Sequence, residues 1–296
     1  MIDEKARRKI REMLAEDLGR GDITSEALIP EGTRVRAEVL SRQAGTLAGV
    51  AEAAAVFDEM GVQHRALKSD GQEVGPDEVV MHLEGPAHGI LATERVALNL
   101  LMRMSGIATA TREMLERARK GNPKVVVAAT RKTAPLLTNF DKRAVQIAGG
   151  DPHRYRLDDF ILIKDNHLKL CGSVAEAVRR AREAGVSEKV EVEVSDLRNA
   201  LEAAKAGADV IMLDNMKPSD VRKTIAALRE AGLRDRVTVE VSGRIDLSNV
   251  EEYASTGVDV ISSSYMTLKA PALDMSLEIR ELLNPQKGSS LACGLL

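Results

Sequence analysis

Apolar and polar positions follow two different rhythms along the chain. Over 33–85, short β-rich runs at 33–40, 62–67 and 79–83 are broken by Gly and Asp and by one helical piece at 51–60, the pattern of a small α+β domain. From 88 to 120 the rhythm is helical, with Ile90, Leu91, Leu98, Leu101 and Met104 on one spacing and Gly106 offering a break. Beyond it, compact Val- and Ile-rich runs recur at 124–129, 160–164, 189–194, 209–213, 236–241 and 258–261. Such runs suit strands buried on both faces. Helical segments at 173–184, 196–206, 218–231 and 246–255 separate several of them, and strand, helix, strand in repetition builds a parallel sheet.

Two near-repeats refine this reading. Ala206-Gly207-Ala208-Asp209-Val210-Ile211 echoes Thr256-Gly257-Val258-Asp259-Val260-Ile261, and Glu193-Val194-Ser195 echoes Glu240-Val241-Ser242. Repeated β/α units favour a barrel over an open sheet, and six strands fall short of eight, so the class is α/β with an incomplete α/β barrel. The expected division is an N-terminal domain with its linking helix over 1–110, a catalytic barrel over 111–274, and a C-terminal helix and tail over 275–296, with no structure assigned from Asn284 onward.

Charge and composition narrow the function. Lys and Arg number 42 against 45 Asp and Glu, for a formal net charge of −3, so no global field recruits nucleic acid or an anionic membrane. An anionic ligand must therefore meet a local basic cluster. Three Tyr, three Phe and no Trp leave no stacking platform for single-stranded nucleic acid. Cys171 and Cys293 are far apart in sequence with no metal-ligand spacing, which fits a reducing cytoplasm. The first 18 residues mix acids with bases, and no stretch reaches membrane-spanning length.

In α/β barrels the reactive groups gather where the strands end. Here the ends read Thr130-Arg131-Lys132, Lys164-Asp165-Asn166-His167, Glu193-Val194-Ser195, Asp214-Asn215, Ser242-Gly243 and Ser262-Ser263-Ser264. Glu193 and Asp214, at matching positions of consecutive units, offer hard oxygen ligands suited to magnesium shared with substrate phosphates. Gly149-Gly150-Asp151-Pro152-His153-Arg154 sets a flexible pair beside His153 and Arg154. Together with Arg131, Lys132 and Lys164 these make a mouth for a multiply anionic small ligand. Arg156 and Lys142 read instead as partners in surface ion pairs. Ser242, Gly243 and Ser262 to Ser264 supply small residues and backbone donors for a terminal phosphate at the last two strand ends. On the long helix, Arg95, Asn99 and Arg103 form a polar stripe.

These stretches resemble the quinolinate phosphoribosyltransferase family from about Glu16 to Asp274. The resemblance rests on Glu16-Asp17-Leu18-Gly19 with Gly21-Asp22-Ile23-Thr24, on Glu94-Arg95 with Asn99 and Ser105-Gly106-Ile107-Ala108-Thr109, and on Thr130-Arg131-Lys132-Thr133. Ile163-Lys164-Asp165-Asn166-His167, Glu191-Val192-Glu193-Val194, Leu213-Asp214-Asn215 and Val241-Ser242-Gly243 follow in the family's order. It implies an N-terminal open α/β sandwich ahead of the incomplete barrel, paired in a homodimer whose N-terminal domain covers the partner's barrel mouth. It implies that Arg131, His153, Arg154 and Lys164 hold the carboxylates of quinolinate, with Arg95 contributed across the dimer. Lys132, Glu193 and Asp214 then surround phosphoribosyl pyrophosphate and Mg2+, and Gly243 belongs to the phosphate-binding end. The chain departs from the family pattern at Ala148, Pro152, Arg156 and Ser263-Ser264.

Three other readings stand on the same residues. A phosphoribosyltransferase of this fold acting on nicotinate or another ring acid would use a similar mouth. A barrel aldolase would form a Schiff base on Lys164, and a binding protein would need no leaving-group lysine.

Overall fold

The computed structural model describes residues 2–185 and 188–283. The chain forms two compact units, the first of residues 1–106 with the segment that begins at Ala272, the second of residues 107–271.

In the first unit, α1 (Glu4–Leu18) is capped by Asp3, whose carboxylate accepts from the Ala6 N–H at 2.7 Å. Helix α2 (Ile23–Leu28) is capped by Asp22 of the Gly-Asp-Ile-Thr motif, which accepts from the Thr24 and Ser25 N–H groups. That capping gives the motif a local structural role. Next come β1 (Arg34–Ser41), β2 (Gly45–Thr46), α3 (Val50–Asp58), β3 (Gln63–Ala66), β4 (Glu73–Val74) and β5 (Glu78–Pro86). Helix α4 (Ala87–Gly121) then runs unbroken through Gly106. A helical Gly costs about 1 kcal/mol relative to Ala, and the buried Leu101, Met104, Ile107 and Ala108 around it offset that cost. The sheet is antiparallel with order β12-β1-β5-β3.

Its outer strand corrects the expected C-terminal helix. Met275–Leu282 is strand β12, paired with β1 from Ser41↔Met275 to Val35↔Leu282. Met275, Leu277 and Ile279 do alternate with polar residues, but the partner that settles the choice lies more than two hundred residues upstream. Cross-strand ion pairs Arg280–Glu38 at 2.7 Å and Arg36–Glu281 at 2.6 Å reinforce the ladder. The rest of the expected tail, from Asn284, lies outside the described residues.

The second unit contains β6 (Val126–Ala128), α5 (Thr138–Ile147), β7 (Ile161–Ile163), α6 (Asp165–Cys171), α7 (Val174–Glu183), β8 (Val190–Val194) and α8 (Leu197–Ala206). It continues with β9 (Val210–Asp214), α9 (Pro218–Glu230), β10 (Thr238–Ser242), α10 (Val250–Ala254), β11 (Val260–Ser262) and α11 (Tyr265–Leu268). Six parallel strands run in the order β6-β11-β10-β9-β8-β7. From β7 to β11 each strand neighbours the next, and β11 pairs with β6, so the sheet curls on itself without the order reversal of a doubly wound fold. The seam lies between β6 and β7, where Asp151 bridges to Ala128 in place of a full strand. The fold is an incomplete α/β barrel.

Strand parity divides the residues cleanly. Val190, Val192, Val194, Ile211, Leu213, Val239, Val241 and Ile261 pack in one apolar cluster with helix residues such as Val178, Ala203 and Ile225. The alternate residues, among them Glu191, Glu193, Met212, Asp214, Glu240, Ser242 and Ser262, fall on the other face, toward the barrel interior.

Candidate active site

At the C-terminal ends of these strands lies a cavity of about 590 Å³ lined by Arg131, Lys132, Arg154, Lys164 and Arg244, by the carboxylates Glu193 and Asp214, and by His153, Asn215, Ser242, Gly243 and Ser262. Five permanent cations thus face two carboxylates within a chain of net charge −3. A cleft of about 660 Å³ in the first unit, near Arg20, Asp22 and His88, gathers no comparable set.

Each wall has a local cause. Beyond β6, the Lys132 N–H donates to Thr130 Oγ1 at 3.0 Å and its carbonyl accepts from Thr267 Oγ1 at 2.7 Å, which pins the loop while both Arg131 and Lys132 stay exposed. No ion pair engages Arg131 or Lys132 among the described residues. Arg154, by contrast, is buried, donates to the Phe160 carbonyl at 3.4 Å and stacks over the Phe160 ring at 5.7 Å. Burial and the neighbouring Arg131 push its pKa down, although a guanidinium keeps its charge in any protein.

Lys142 is corrected here: it is fully buried and makes no surface ion pair among the described residues. Its ammonium donates to the carbonyls of Pro152, at 2.5 Å, and Arg154, clamping the loop on both sides of His153. Burial lowers its pKa to about 8. Arg156, as expected, pairs on the surface with Asp158 at 3.5 Å.

Lys164 is the N-cap of α6, its own N–H donating to His167 Nδ1 at 2.9 Å, and its ammonium donates to Glu193 Oε2 at 2.6 Å. One expected carboxylate-binding cation therefore touches one expected metal ligand. Asp214 accepts from Asn215 Nδ2 at 2.6 Å. Gly243 has φ +98°, and a Cβ there would lie 2.5 Å from Asn215 Oδ1. Only glycine fits this turn.

The three serines separate. Ser262 lines the cavity with a buried hydroxyl that has no hydrogen-bond partner among the described residues. Ser263 turns inward, donating to the Ile245 carbonyl at 2.6 Å and accepting from the Tyr265 N–H. Ser264 stands at the start of α11. Neither Ser263 nor Ser264 lines the cavity, so the phosphate role expected of these two is not supported by their placement. Arg95 is exposed on α4 in the first unit, beside Glu94 at 3.6 Å, and is also not among the lining residues.

His153 lines the cavity and is backed by two residues, Glu191 and Glu240, to which the sequence motifs containing them assigned no role. Its Nε2 lies 3.5 Å from Glu191 and 3.6 Å from Glu240, both buried. Burial opposes a charge on the ring, but the two facing carboxylates outweigh it and carry the pKa up to about 9. Burial raises the Glu191 pKa against the opposing pull of His153. The available signal was a glutamate inside each Val-rich strand, where parity leaves no solvent to receive it. Arg244, immediately after the expected Ser242-Gly243, was also missed.

A raised histidine pKa has a defined sign. The stabilisation it brings is complete below about 6.5 and is lost as pH rises through about 9, on the order of 3 kcal/mol in all. Urea unfolding of the wild type and of His153→Asn across that range should show the wild type's advantage shrinking with pH. The opposite contribution of Lys142 is common to both proteins and cancels in the difference. Parallel curves would contradict the assignment.

Residues 22–105 match the sequence profile of the quinolinate phosphoribosyl transferase N-terminal domain, and residues 107–278 match that of the C-terminal domain. The chain belongs to the quinolinate phosphoribosyltransferase family. A probable nicotinate-nucleotide pyrophosphorylase [carboxylating] of Methanothermobacter thermautotrophicus is 52% identical over 274 residues, covering 92% of this chain and 98% of that protein. The nicotinate-nucleotide pyrophosphorylase [carboxylating] of Rattus norvegicus is 40% identical, covering 86% and 84%. The solved structure of the nicotinate-nucleotide pyrophosphorylase from Francisella tularensis superposes with a TM-score of 0.87 at 34% identity, covering 95% of this chain and 98% of that one. In this member of the quinolinate phosphoribosyltransferase family the departures at Ala148, Pro152 and Arg156 flank the loop without displacing Arg131, Lys132, His153, Arg154 or Lys164 from the cavity.

Proposed function

We propose that the chain joins quinolinate to phosphoribosyl pyrophosphate, releasing pyrophosphate and carbon dioxide and leaving nicotinate mononucleotide, a step of de novo NAD synthesis. The observation that carries this reading is a cavity in which five cations, Arg131 and Lys132 among them without an ion pair among the described residues, stand beside two carboxylates. A diacid and a polyphosphate both need cations, and only the second also needs a metal.

Arg131, Arg154, Lys164 and the protonated His153 would take the ring carboxylates, with Arg forks matching their geometry. The pyridine nitrogen attacks the anomeric carbon while the bond to pyrophosphate breaks and carries its electron pair away. Lys132, exposed and without an ion pair among the described residues, would meet the charge developing on the departing oxygens. Joining ribose to nitrogen makes the ring cationic. Loss of the adjacent carboxylate as carbon dioxide leaves its electron pair beside that positive nitrogen, and a proton then replaces it.

Glu193 and Asp214 fit a Mg2+ ion held jointly with substrate: two hard oxygen donors on neighbouring strands, with the remaining positions left to water and phosphate. Magnesium so bound would neutralise pyrophosphate charge. Ser242 and Gly243, with the orphaned hydroxyl of Ser262, would serve the phosphate end.

Supplied with magnesium, phosphoribosyl pyrophosphate and quinolinate, the purified protein should release carbon dioxide and pyrophosphate in equal amounts. Pyrophosphate without carbon dioxide, given nicotinate instead, would select the monoacid reading.

A homodimer in the cytoplasm completes the proposal. Arg95, exposed outside the cavity set, supports a role at a partner's site. The sparse, separated cysteines support a reducing compartment, and no helix among the described residues is long and apolar enough to cross a membrane. Arg95→Ala and Lys132→Ala should each be nearly inactive, yet a mixture refolded together should regain about a quarter of wild-type activity, because a mixed dimer rebuilds one intact site. No recovery would contradict a shared site.

A further inference from the structure

Behind His153, a lining residue of the cavity, lies more charge than binding a ring acid directly requires. Glu191 and Glu240 reach His153 Nε2 from two different strands, β8 and β10, and each is all but fully buried. Each keeps a second oxygen, Oε1, without a hydrogen-bond partner among the described residues. Valine at these interior positions would pack at far lower cost, since a buried carboxylate forfeits its hydration. The histidine is costly too. Its φ of +52° is left-handed, and the turn is held by its N–H donating to Asp151 Oδ1 at 2.6 Å and by the Lys142 clamp on the flanking carbonyls. The Phe160 ring covers it edge-on at 5.2 Å. Backbone strain and two buried acids are thus both committed to one imidazole, and such strain persists where the surroundings over-determine it.

Resting on the reading of the cavity given above, we infer that Glu191 and Glu240 are positioning residues that fix the His153 ring as an imidazolium, so that the cavity presents a cation to one carboxylate of a ring diacid. An imidazolium has two donors. The carboxylates face the Nε2 side of the ring, which leaves Nδ1–H for the substrate. The pair thereby serves recognition of the second carboxylate, the group that separates a diacid from a monoacid. The same three side chains place one ligand atom each within 4.8 Å of one another, so a divalent cation is the competing occupant, and the two are exclusive because a coordinated nitrogen cannot carry a proton.

The test begins with the unliganded wild type, labelled with 15N in its histidines, the His153 signal being assigned with His153→Asn. An imidazolium signature at neutral pH is expected. A neutral ring, or a metal present in the purified protein and bound at His153, overturns the inference whatever the activity. Glu191→Gln and Glu240→Gln then keep shape and one acceptor while removing charge. Each should raise the KM for quinolinate about tenfold or more, leaving kcat and the KM for phosphoribosyl pyrophosphate within about twofold, with Glu240→Asp recovering part of the loss. Equal effects on both substrates would mark a merely structural role and overturn it. If the wild type ignores quinolinate, the functional reading fails, while the nitrogen spectrum still decides the state of the ring.

Discussion

Lys132→Ala should lower kcat with quinolinate about 10²- to 10³-fold, the usual loss when one preorganised group that meets developing charge is removed. Folding should barely change. The side chain is exposed and carries no ion pair among the described residues, and exposed substitutions away from special features cost within about 0.5 kcal/mol. The loop that presents it is held through backbone groups, by Thr130 and Thr267, which the substitution leaves in place. Steady-state kinetics alongside thermal unfolding separates the two effects. Turnover within about threefold of wild type would remove Lys132 from the chemistry, and a large fall in melting temperature would reassign it to structure.

Glu193→Ala combined with Asp214→Ala should abolish the magnesium dependence of phosphoribosyl pyrophosphate binding and cost about 10²-fold or more in kcat/KM, a loss of the size expected when a charge clamp disappears. Removing two negative charges from a cavity with five permanent cations strengthens its attraction for any bare polyanion, so affinity alone is an ambiguous readout. The informative quantity is the difference between titrations with and without magnesium. That difference should be large in the wild type and absent in the double variant. Lys164 loses its 2.6 Å partner in the exchange, but its side chain is 44% exposed and water can solvate it. A magnesium effect that survives both substitutions would move the metal elsewhere.

The barrel was legible because its strands obey a simple parity. Val190, Val192 and Val194 must meet helices, which leaves Glu191 and Glu193 facing inward. The same alternation, followed one step further, exposes the buried acids beneath the site. Reading only strand termini stops one turn of the pleat too early. What stayed hidden depends on distant partners. Met275–Leu282 becomes a strand because β1 has an open edge, Ser263 is spent on the Ile245 carbonyl, and Lys142 is drawn inside by two carbonyls of a loop ten residues on. None of these partners can be located from composition or spacing. The short helices α5 and α6 were missed for a related reason. Phe140, Ala144 and Val145 of α5 are buried by the folded unit, whereas α6 buries no residue and starts within the strand-end stretch that was read only for its reactive groups.

The most direct measurement is a crystal structure of the protein with quinolinate and an unreactive phosphoribosyl pyrophosphate analogue bound together in magnesium. The two ligands should share the cavity, the ring carboxylates against Arg131, His153, Arg154 and Lys164, the pyrophosphate beside Lys132 with the metal on Glu193 and Asp214. A ring acid seated away from these cations, or two ligands that exclude each other from the cavity, would contradict the account at its root.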